Sequence, residues 1–227
     1  MRKSGVASLL MGGQACVLYG AAEFSRDVDL AILSDDENLS RLRLALADLS
    51  AIPIAVPPFE RRFLDQGMAV HFRCQTTGAE NMRVDVMSRM RGVDEFEALW
   101  ERRTSHGDIE ILSLPDLVKA KKTQRDKDWP MLSRLVSANY FANRNQPSTA
   151  QIEFWLRELR EPSLLLEVTR KFPNEAKALG AERALLATQD EAVLAAALKT
   201  EEQLERDADR EYWLPLKLEL EKLRHQR

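Results

Sequence analysis

The sequence has little that would mark a membrane, secreted or fibrous protein. Only two of its 227 residues are cysteine, Cys16 and Cys74, and both stand in apolar surroundings. Two such residues favour buried thiols in a reducing cytoplasm over a disulfide-stabilised scaffold. No apolar run approaches the roughly 20 residues that cross a bilayer, and the chain does not open on a signal-peptide pattern. We therefore expect a cytoplasmic protein with no membrane partner.

An excess of charge of one sign is also missing. The formal net charge is only −3, which argues against a protein that binds nucleic acid mainly through its overall charge, although a local basic patch stays open. Hydrophobic residues make up 44% and charged residues 30% of the chain, as in ordinary globular proteins. A chain of this length can bury one large core or two small ones.

The first half of the chain alternates strand-like and helix-like segments, which predicts an α/β or α+β domain with a mixed sheet flanked by helices. Strands are expected over residues 6–11, 27–33, 52–56, 68–74, 82–87 and 108–112, the fourth and fifth forming a hairpin. A compact helix is expected around residues 14–19. Asp35 or Asp36 would cap the next helix. Its leucines are expected to face the core: Leu39, Leu42, Leu44, Leu46 and Leu49.

Strand signals nearly vanish in the second half. This predicts a helical domain over residues 114–227, behind a sheet domain over residues 1–113. Helices are expected over residues 115–123 and 128–136, and residues that favour helices dominate from residue 149 onward. Near the C-terminus a one-sided apolar pattern predicts a helix with Pro215 in its first turn. The apolar positions of that helix are Trp213, Leu216, Leu220 and Leu223.

Two carboxylates, Asp27 and Asp29, open the second predicted strand. Residues two apart on a strand point to the same face, and two unpaired carboxylates that close repel each other. A divalent cation removes the conflict, and carboxylate oxygens suit Mg²⁺. Asp85, in the middle of a later alternating strand, supplies a third carboxylate. The alternative is that these aspartates are surface strand ends or form salt bridges with Arg26 and Arg83.

A glycine pair, Gly12-Gly13, follows the first predicted strand and precedes a short helix. Glycines at such a junction let a phosphate approach the backbone, and the N–H groups at the start of the helix point toward it. The alternative is a tight turn that needs a positive φ. The pair therefore indicates phosphate binding only in combination with the downstream carboxylates.

Taken together, these elements resemble the active-site signature of the polymerase-β-like nucleotidyltransferase superfamily. The elements are Gly12-Gly13, a spacer of 13 residues, Asp27-x-Asp29 on a strand and Asp85 on a later strand. The glycine-glycine form, modest length and helical second half are most similar to small bacterial nucleotidyltransferases of the abortive-infection and toxin–antitoxin type. The resemblance extends over roughly residues 6–135 and implies a nucleotidyltransferase-like sheet.

The resemblance also implies an activity. A two-metal enzyme of this kind moves a nucleoside monophosphate from an NTP such as ATP to an acceptor hydroxyl and releases pyrophosphate. Mg²⁺ or Mn²⁺ would be held by Asp27, Asp29 and Asp85, and Asp85 could also accept the proton of the hydroxyl. The acceptor would be a tRNA, a protein or a small molecule. An antitoxin protein is a further partner that the resemblance implies.

Six residues would bind the nucleotide according to the same resemblance: Gly12, Gly13, Ser25, Arg26, Lys121 and Arg125. Lys121 and Arg125 would lie four apart on one face of a helix. Lys121 would contact the triphosphate, while Arg125, Lys127 and Asp128 would hold the next helix and the nucleotide. The alternative for this basic segment is a solvated helix.

Two other functions remain open from the sequence. One is a non-catalytic nucleotide-binding or interaction module that keeps the fold, because Gly13 stands where the family commonly has a serine. The other is a toxin held by a partner protein. His71 lies in an apolar strand and is expected to be a core histidine rather than a ligand.

Overall fold

The structure is a computed structural model that describes residues 1–225. The chain divides into two compact units, which differ from the predicted domains in two respects. The first unit comprises Met1–Ala120 together with the residues from Glu211 onward, and the second comprises Lys121–Arg210. The boundary thus lies seven residues after the predicted position 113, and the end of the chain returns to the first unit.

The first unit is built on a mixed sheet. Its seven strands among the described residues are β1 (Ser8–Met11), β2 (Asp27–Ile32), β3 (Ile52–Pro53), β4 (Val70–Arg73), β5 (Arg83–Met87), β6 (Thr104–His106) and β7 (Ile109–Ile111). They lie in the order β3-β4-β5-β2-β1-β7-β6. β2 pairs antiparallel with β1 and parallel with β5. The fold of the chain is therefore of the mixed α/β kind.

The predicted hairpin is confirmed, because β4 and β5 pair antiparallel. The strand expected over residues 52–56 is reduced to the two exposed residues of β3 at the sheet edge. Sequence reasoning missed β6, whose three residues are all exposed and therefore lack an apolar signal. It pairs with β7, the strand expected over residues 108–112.

Five helices accompany the sheet in residues 1–120: α1 (Gly12–Leu18), α2 (Asp36–Asp48), α3 (Arg61–Asp65), α4 (Phe96–Arg102) and α5 (Leu114–Ala120). Asp35 caps α2 as expected, its side chain accepting a hydrogen bond from the N–H of Asn38. Asn38 is itself buried and bonds to the backbone of Ala7 and Leu33, which fixes α2 against the strand ends. The expectation for Leu44 is wrong: it is 66% exposed, because its position lies off the helix face that Leu39, Leu42 and Leu46 bury.

The second unit is helical. It contains α6 (Asp128–Asn143), α7 (Thr149–Glu158), α8 (Pro162–Lys171), α9 (Pro173–Leu179) and the first part of α10 (Glu191–His225), with a short 3-10 helix at Ala184–Ala187. A capping box at Ser148 starts α7. Trp155 and Tyr140 are fully buried and meet edge to face with ring centroids 5.0 Å apart. Such aromatic pairs bury large apolar areas and anchor a helical core.

Two predictions about helix ends are wrong. The helix expected over residues 115–123 ends at Ala120, because the following side chains gather around Asp128 instead of continuing the helix. Pro215 lies inside α10 rather than in a first turn. Proline in a helix interior costs one backbone hydrogen bond. One turn earlier in α10, Tyr212 packs closely against Gly67.

Both cysteines are buried, as expected, and neither takes part in a disulfide bond. Across residues 1–225 no helix combines the length and the apolar character that spanning a bilayer requires.

Candidate active site

The three aspartates of the predicted site lie on one face of the sheet. Asp29 and Asp85 are direct register partners on the neighbouring parallel strands β2 and β5. Register partners project to the same side of a sheet, and Asp27 shares that side because it stands two residues before Asp29. The structure therefore brings the three carboxylates to one surface, as the sequence predicts.

The glycine pair is shaped by its contacts with this surface. Gly12 has a φ of +64°, and a Cβ atom added to it would stand 1.9 Å from Oδ2 and 2.7 Å from Cβ of Asp29. A Cβ atom on Gly13 would stand 2.4 Å from Oγ of Ser25. The two glycines are not a separate loop, since they form the first residues of α1. Only residues without a side chain let the start of α1 lie this close to Asp29 and Ser25.

Ser25 and Arg26 form the approach to β2. The carbonyl of Ser25 accepts a hydrogen bond from the Gln14 side chain at 2.7 Å, which ties this segment to α1. Arg26 is exposed, and its guanidinium lies 5.9 Å from the centre of the exposed Phe24 ring. Both residues therefore flank the start of the strand that carries Asp27.

Asp85 is the most buried of the three carboxylates. It is 8% exposed, and its Oδ1 accepts a hydrogen bond from Nε of Arg83 at 2.8 Å and lies 2.9 Å from Nδ1 of His71. Burial raises the pKa of Asp85, but the contacts with His71 and Arg83 outweigh it, and the pKa falls below its ordinary value of 3.8. Asp85 is therefore held in its ionised form by these two contacts, and a cation ligand also has to be ionised.

His71 is the residue that sequence reasoning missed at this site. It stands opposite Asp85 in the β4-β5 register, and its Nδ1 also lies 3.1 Å from Nη2 of Arg83. One ring nitrogen cannot donate to the carboxylate and accept from the guanidinium at once. The predicted hairpin contained the information needed to find it. If residues 74 and 82 face each other across the turn, antiparallel pairing places residue 71 opposite residue 85.

The carboxylates fit a divalent cation by donor type and by the face they share. They are not assembled around one point, however. Among residues 1–225, no group of three or more His, Cys, Asp or Glu side chains has the arrangement of a metal centre. Cation binding would therefore require side-chain rotation, and above all a new orientation of Asp85 relative to Arg83.

Lys121 and Arg125 belong to the second unit and are organised by Asp128. Nζ of Lys121 lies 3.0 Å from Oδ1 of Asp128, while Nε of Arg125 and Oγ of Thr123 approach its Oδ2 at 2.7 and 2.6 Å. Asp128 is 2% exposed. Burial raises the pKa of Asp128, but the contacts with Lys121, Thr123 and Arg125 lower it by more than burial raises it, so the net shift is downward. The predicted helical pairing of Lys121 with Arg125 is wrong, because they lie in the turn before α6.

This arrangement gives the basic segment a local structural role. A phosphate contact by Lys121 would have to compete with its ion pair to Asp128. Trp129 follows on α6 and donates from Nε1 to the carbonyl of Thr123 at 2.8 Å. The loop from Lys121 to Lys127 is therefore held by Asp128 and Trp129 at the start of α6, and also by Arg206 and Asp209 of α10.

A large cavity lies elsewhere in the first unit. It has a volume of about 740 Å³, and its lining includes Leu10, Val28 and Leu30. Val28 and Leu30 alternate with Asp27 and Asp29 along β2, so their side chains point to the opposite face of the sheet. This cavity is therefore not the carboxylate site.

Comparison with models of known protein families and with the sequences of curated proteins finds no match to this chain.

Proposed function

We propose that this chain is a metal-dependent nucleotidyltransferase that moves a nucleoside monophosphate from an NTP to an acceptor hydroxyl. One observation carries the proposal. Asp29 and Asp85 are in register on adjacent parallel strands, and Asp27 lies on the same face. The backbone of Gly12 packs directly against the side chain of Asp29. Three carboxylates, next to a stretch of backbone that only glycine allows, are suitable ligands for the cations that accompany a triphosphate.

Mg²⁺ or Mn²⁺, held by Asp27, Asp29 and Asp85, would supply charge neutralisation on the phosphates and a more acidic acceptor hydroxyl. In the transfer, the acceptor oxygen bonds to the α-phosphorus while the bond from that phosphorus to the bridging oxygen breaks. Pyrophosphate leaves, and the hydroxyl proton is lost.

The residues of the chain have distinct parts in this proposal. The three aspartates provide the negative surface, and Asp29 is kept in place by the close packing of Gly12. Backbone N–H groups at Gly12-Gly13 would approach the phosphates from the first turn of α1, where they are not used within the helix. Ser25 and the exposed Arg26 would border the nucleotide at the entrance to β2.

A transfer assay tests the proposal. The protein is incubated with Mg²⁺ and each of the four NTPs, labelled either on the α- or on the γ-phosphate, together with total bacterial RNA and protein. Transfer of the α-label to an acceptor, with the γ-label found in pyrophosphate, is expected. Asp29→Asn should lower the rate by at least about a thousandfold, because several kcal/mol of charge stabilisation are lost. Asp48→Asn, on the exposed end of α2, is the matched control and should retain full activity.

A second function has its own support in the structure. The contacts of Arg83 and His71 with Asp85 would also suit a module that binds a nucleotide without turning it over. Metal-dependent NTP binding with no transfer of either label would favour this module. If the folded protein neither transfers nor binds any of the four nucleotides, both functions are excluded.

A further inference from the structure

Arg83 occupies a special place beside the carboxylates. It stands two residues before Asp85 on β5 and is the register partner of Asp27 on β2, so its side chain shares the face of the three aspartates. Its Nε donates to Oδ1 of Asp85 at 2.8 Å. Neighbouring β4 carries Arg73 in register with Arg83, which gives the chain an internal comparison at the same face.

The guanidinium of Arg83 interacts with the whole cluster and not with Asp85 alone. Its pKa is raised first by the hydrogen bond to Asp85, against an opposing effect of burial, and further by the charges of Asp85, Asp27 and Asp29. A cation in this position offsets the mutual repulsion of the three carboxylates. The cluster is therefore partly neutralised in the absence of any bound ion.

We propose that Arg83 is the built-in counter-ion of the carboxylate cluster, and that it makes divalent-cation binding depend on the nucleotide. This inference rests on the proposed function. A divalent cation that enters alone meets the positive charge of Arg83 and has to draw Asp85 away from it. A cation that enters with a triphosphate brings negative charge of its own, so the guanidinium has a new partner.

The geometry allows such an exchange of partners. The side chain of Arg83 is 40% exposed, so it can turn toward solvent above the sheet. Its contacts with Asp85 and His71 use Nε and Nη2, whereas a guanidinium offers five N–H donors that match phosphate oxygens. Arg83 is thus a positioning residue that couples the cation to the anionic substrate.

Calorimetric titration of Mn²⁺ into the protein, with and without a non-hydrolysable NTP analogue, tests this coupling. Arg83→Gln removes the charge, Arg83→Lys keeps it, and Arg73→Gln is the matched control because it removes a charge from the neighbouring strand. In the wild type, the analogue should tighten Mn²⁺ binding. In Arg83→Gln, Mn²⁺ alone should bind about tenfold more tightly than in the wild type, and the effect of the analogue should shrink.

Arg83→Lys and Arg73→Gln should keep Mn²⁺ affinity within about threefold of the wild type. Thermal melts add a readout that a merely structural role would not produce. Without metal, Arg83→Gln should melt below the wild type, and Mn²⁺ should restore most of the difference by neutralising the cluster in place of the guanidinium.

The outcomes separate this inference from the function on which it rests. Absence of any Mn²⁺ binding in the wild type, with or without the analogue, overturns the proposed function. Mn²⁺ binding in the wild type that Arg83→Gln weakens or leaves unchanged overturns only the counter-ion role. So does an Arg83→Gln protein that remains destabilised or unfolded in saturating Mn²⁺.

Discussion

Two buried aspartates, Asp85 and Asp128, illustrate two uses of the same side chain. Each has basic side chains within hydrogen-bond distance, and each has a lowered pKa. In Asp128, one carboxylate oxygen accepts a hydrogen bond from Lys121, and the other accepts hydrogen bonds from Arg125 and Thr123. In Asp85, Arg83 and His71 both contact the same carboxylate oxygen, Oδ1.

The difference lies in the surrounding charge. At Asp128 two cations and a hydroxyl converge on one carboxylate, so the group is satisfied and holds a loop to the start of α6. At Asp85 one carboxylate shares its sheet face with Asp27 and Asp29. Three carboxylates are thus gathered on one surface of the sheet. A balanced cluster stabilises the fold, whereas a concentrated one is suited to binding a cation.

The largest effect on stability is expected at the balanced cluster. Asp128→Ala leaves Lys121, which is only 12% exposed, without its buried partner and should lower the free energy of unfolding by about 3 kcal/mol. Urea unfolding measures the loss. Asp126→Ala is the control, since that carboxylate is 99% exposed although it pairs with Arg206. Equal stability of the two variants would show that the Asp128 cluster is not structural.

A smaller effect is expected at the glycine that borders the carboxylates. Gly12→Ala meets both a φ of +64° and the side chain of Asp29, whereas Gly20→Ala meets a φ of +75° and no atom within 4 Å. Gly20→Ala should cost about 1 kcal/mol for the left-handed backbone alone. Gly12→Ala should cost about 1 kcal/mol more, because the clash reaches Cβ of Asp29 and cannot be relieved by rotating the carboxylate. Equal melting temperatures of Gly12→Ala and Gly20→Ala would contradict the close contact between Gly12 and Asp29.

A smaller effect is expected in the pH dependence of stability, to which both clusters contribute in the same direction. Because the folded pKa values of Asp85 and Asp128 lie below 3.8, the unfolded chain takes up protons first as the pH falls. Their stabilisation is complete above about pH 5 and is lost as the pH drops below 4 toward the folded pKa values. We therefore expect the free energy of unfolding, measured with urea at pH 6, 5, 4 and 3, to fall less steeply with decreasing pH for Asp128→Asn than for the wild type. Parallel curves would exclude Asp128 as a source of acid sensitivity.

The sequence was sufficient where local patterns and tertiary packing agree. Helix α2 with a cap at Asp35 or Asp36 and the β4-β5 hairpin were predictable, and so was the shared face of Asp27 and Asp29. Leu44, which was expected to face the core, is the exception on α2. The sequence was insufficient where tertiary contacts override a local preference. Pro215 reads as a helix start but lies deep inside α10.

The contacts of the site were harder to predict than its location. Arg83 could be anticipated only as a salt-bridge partner, and His71 was expected to be a core residue. Both contact Asp85 because the strand register brings them together. Similarly, the stretch from Lys121 to Arg125 reads as a continued helix until Asp128, which lies a few residues further on, is seen to gather it. The pairing of His71 with Asp85 follows from the hairpin register, whereas the contacts around Asp128 depend on tertiary structure that no local periodicity encodes.

Cation-dependent stabilisation of Asp29→Asn and the wild type is the most direct test of the carboxylate site. Without ligand, Asp29→Asn should melt at or slightly above the wild type, because one of three mutually repelling carboxylates is neutral. With Mn²⁺ and a non-hydrolysable NTP analogue at about 100 times the dissociation constant, the wild type should gain about 2.7 kcal/mol, and the variant should gain much less. If the ligands stabilise both proteins equally, or neither, Asp27, Asp29 and Asp85 are not a cation site.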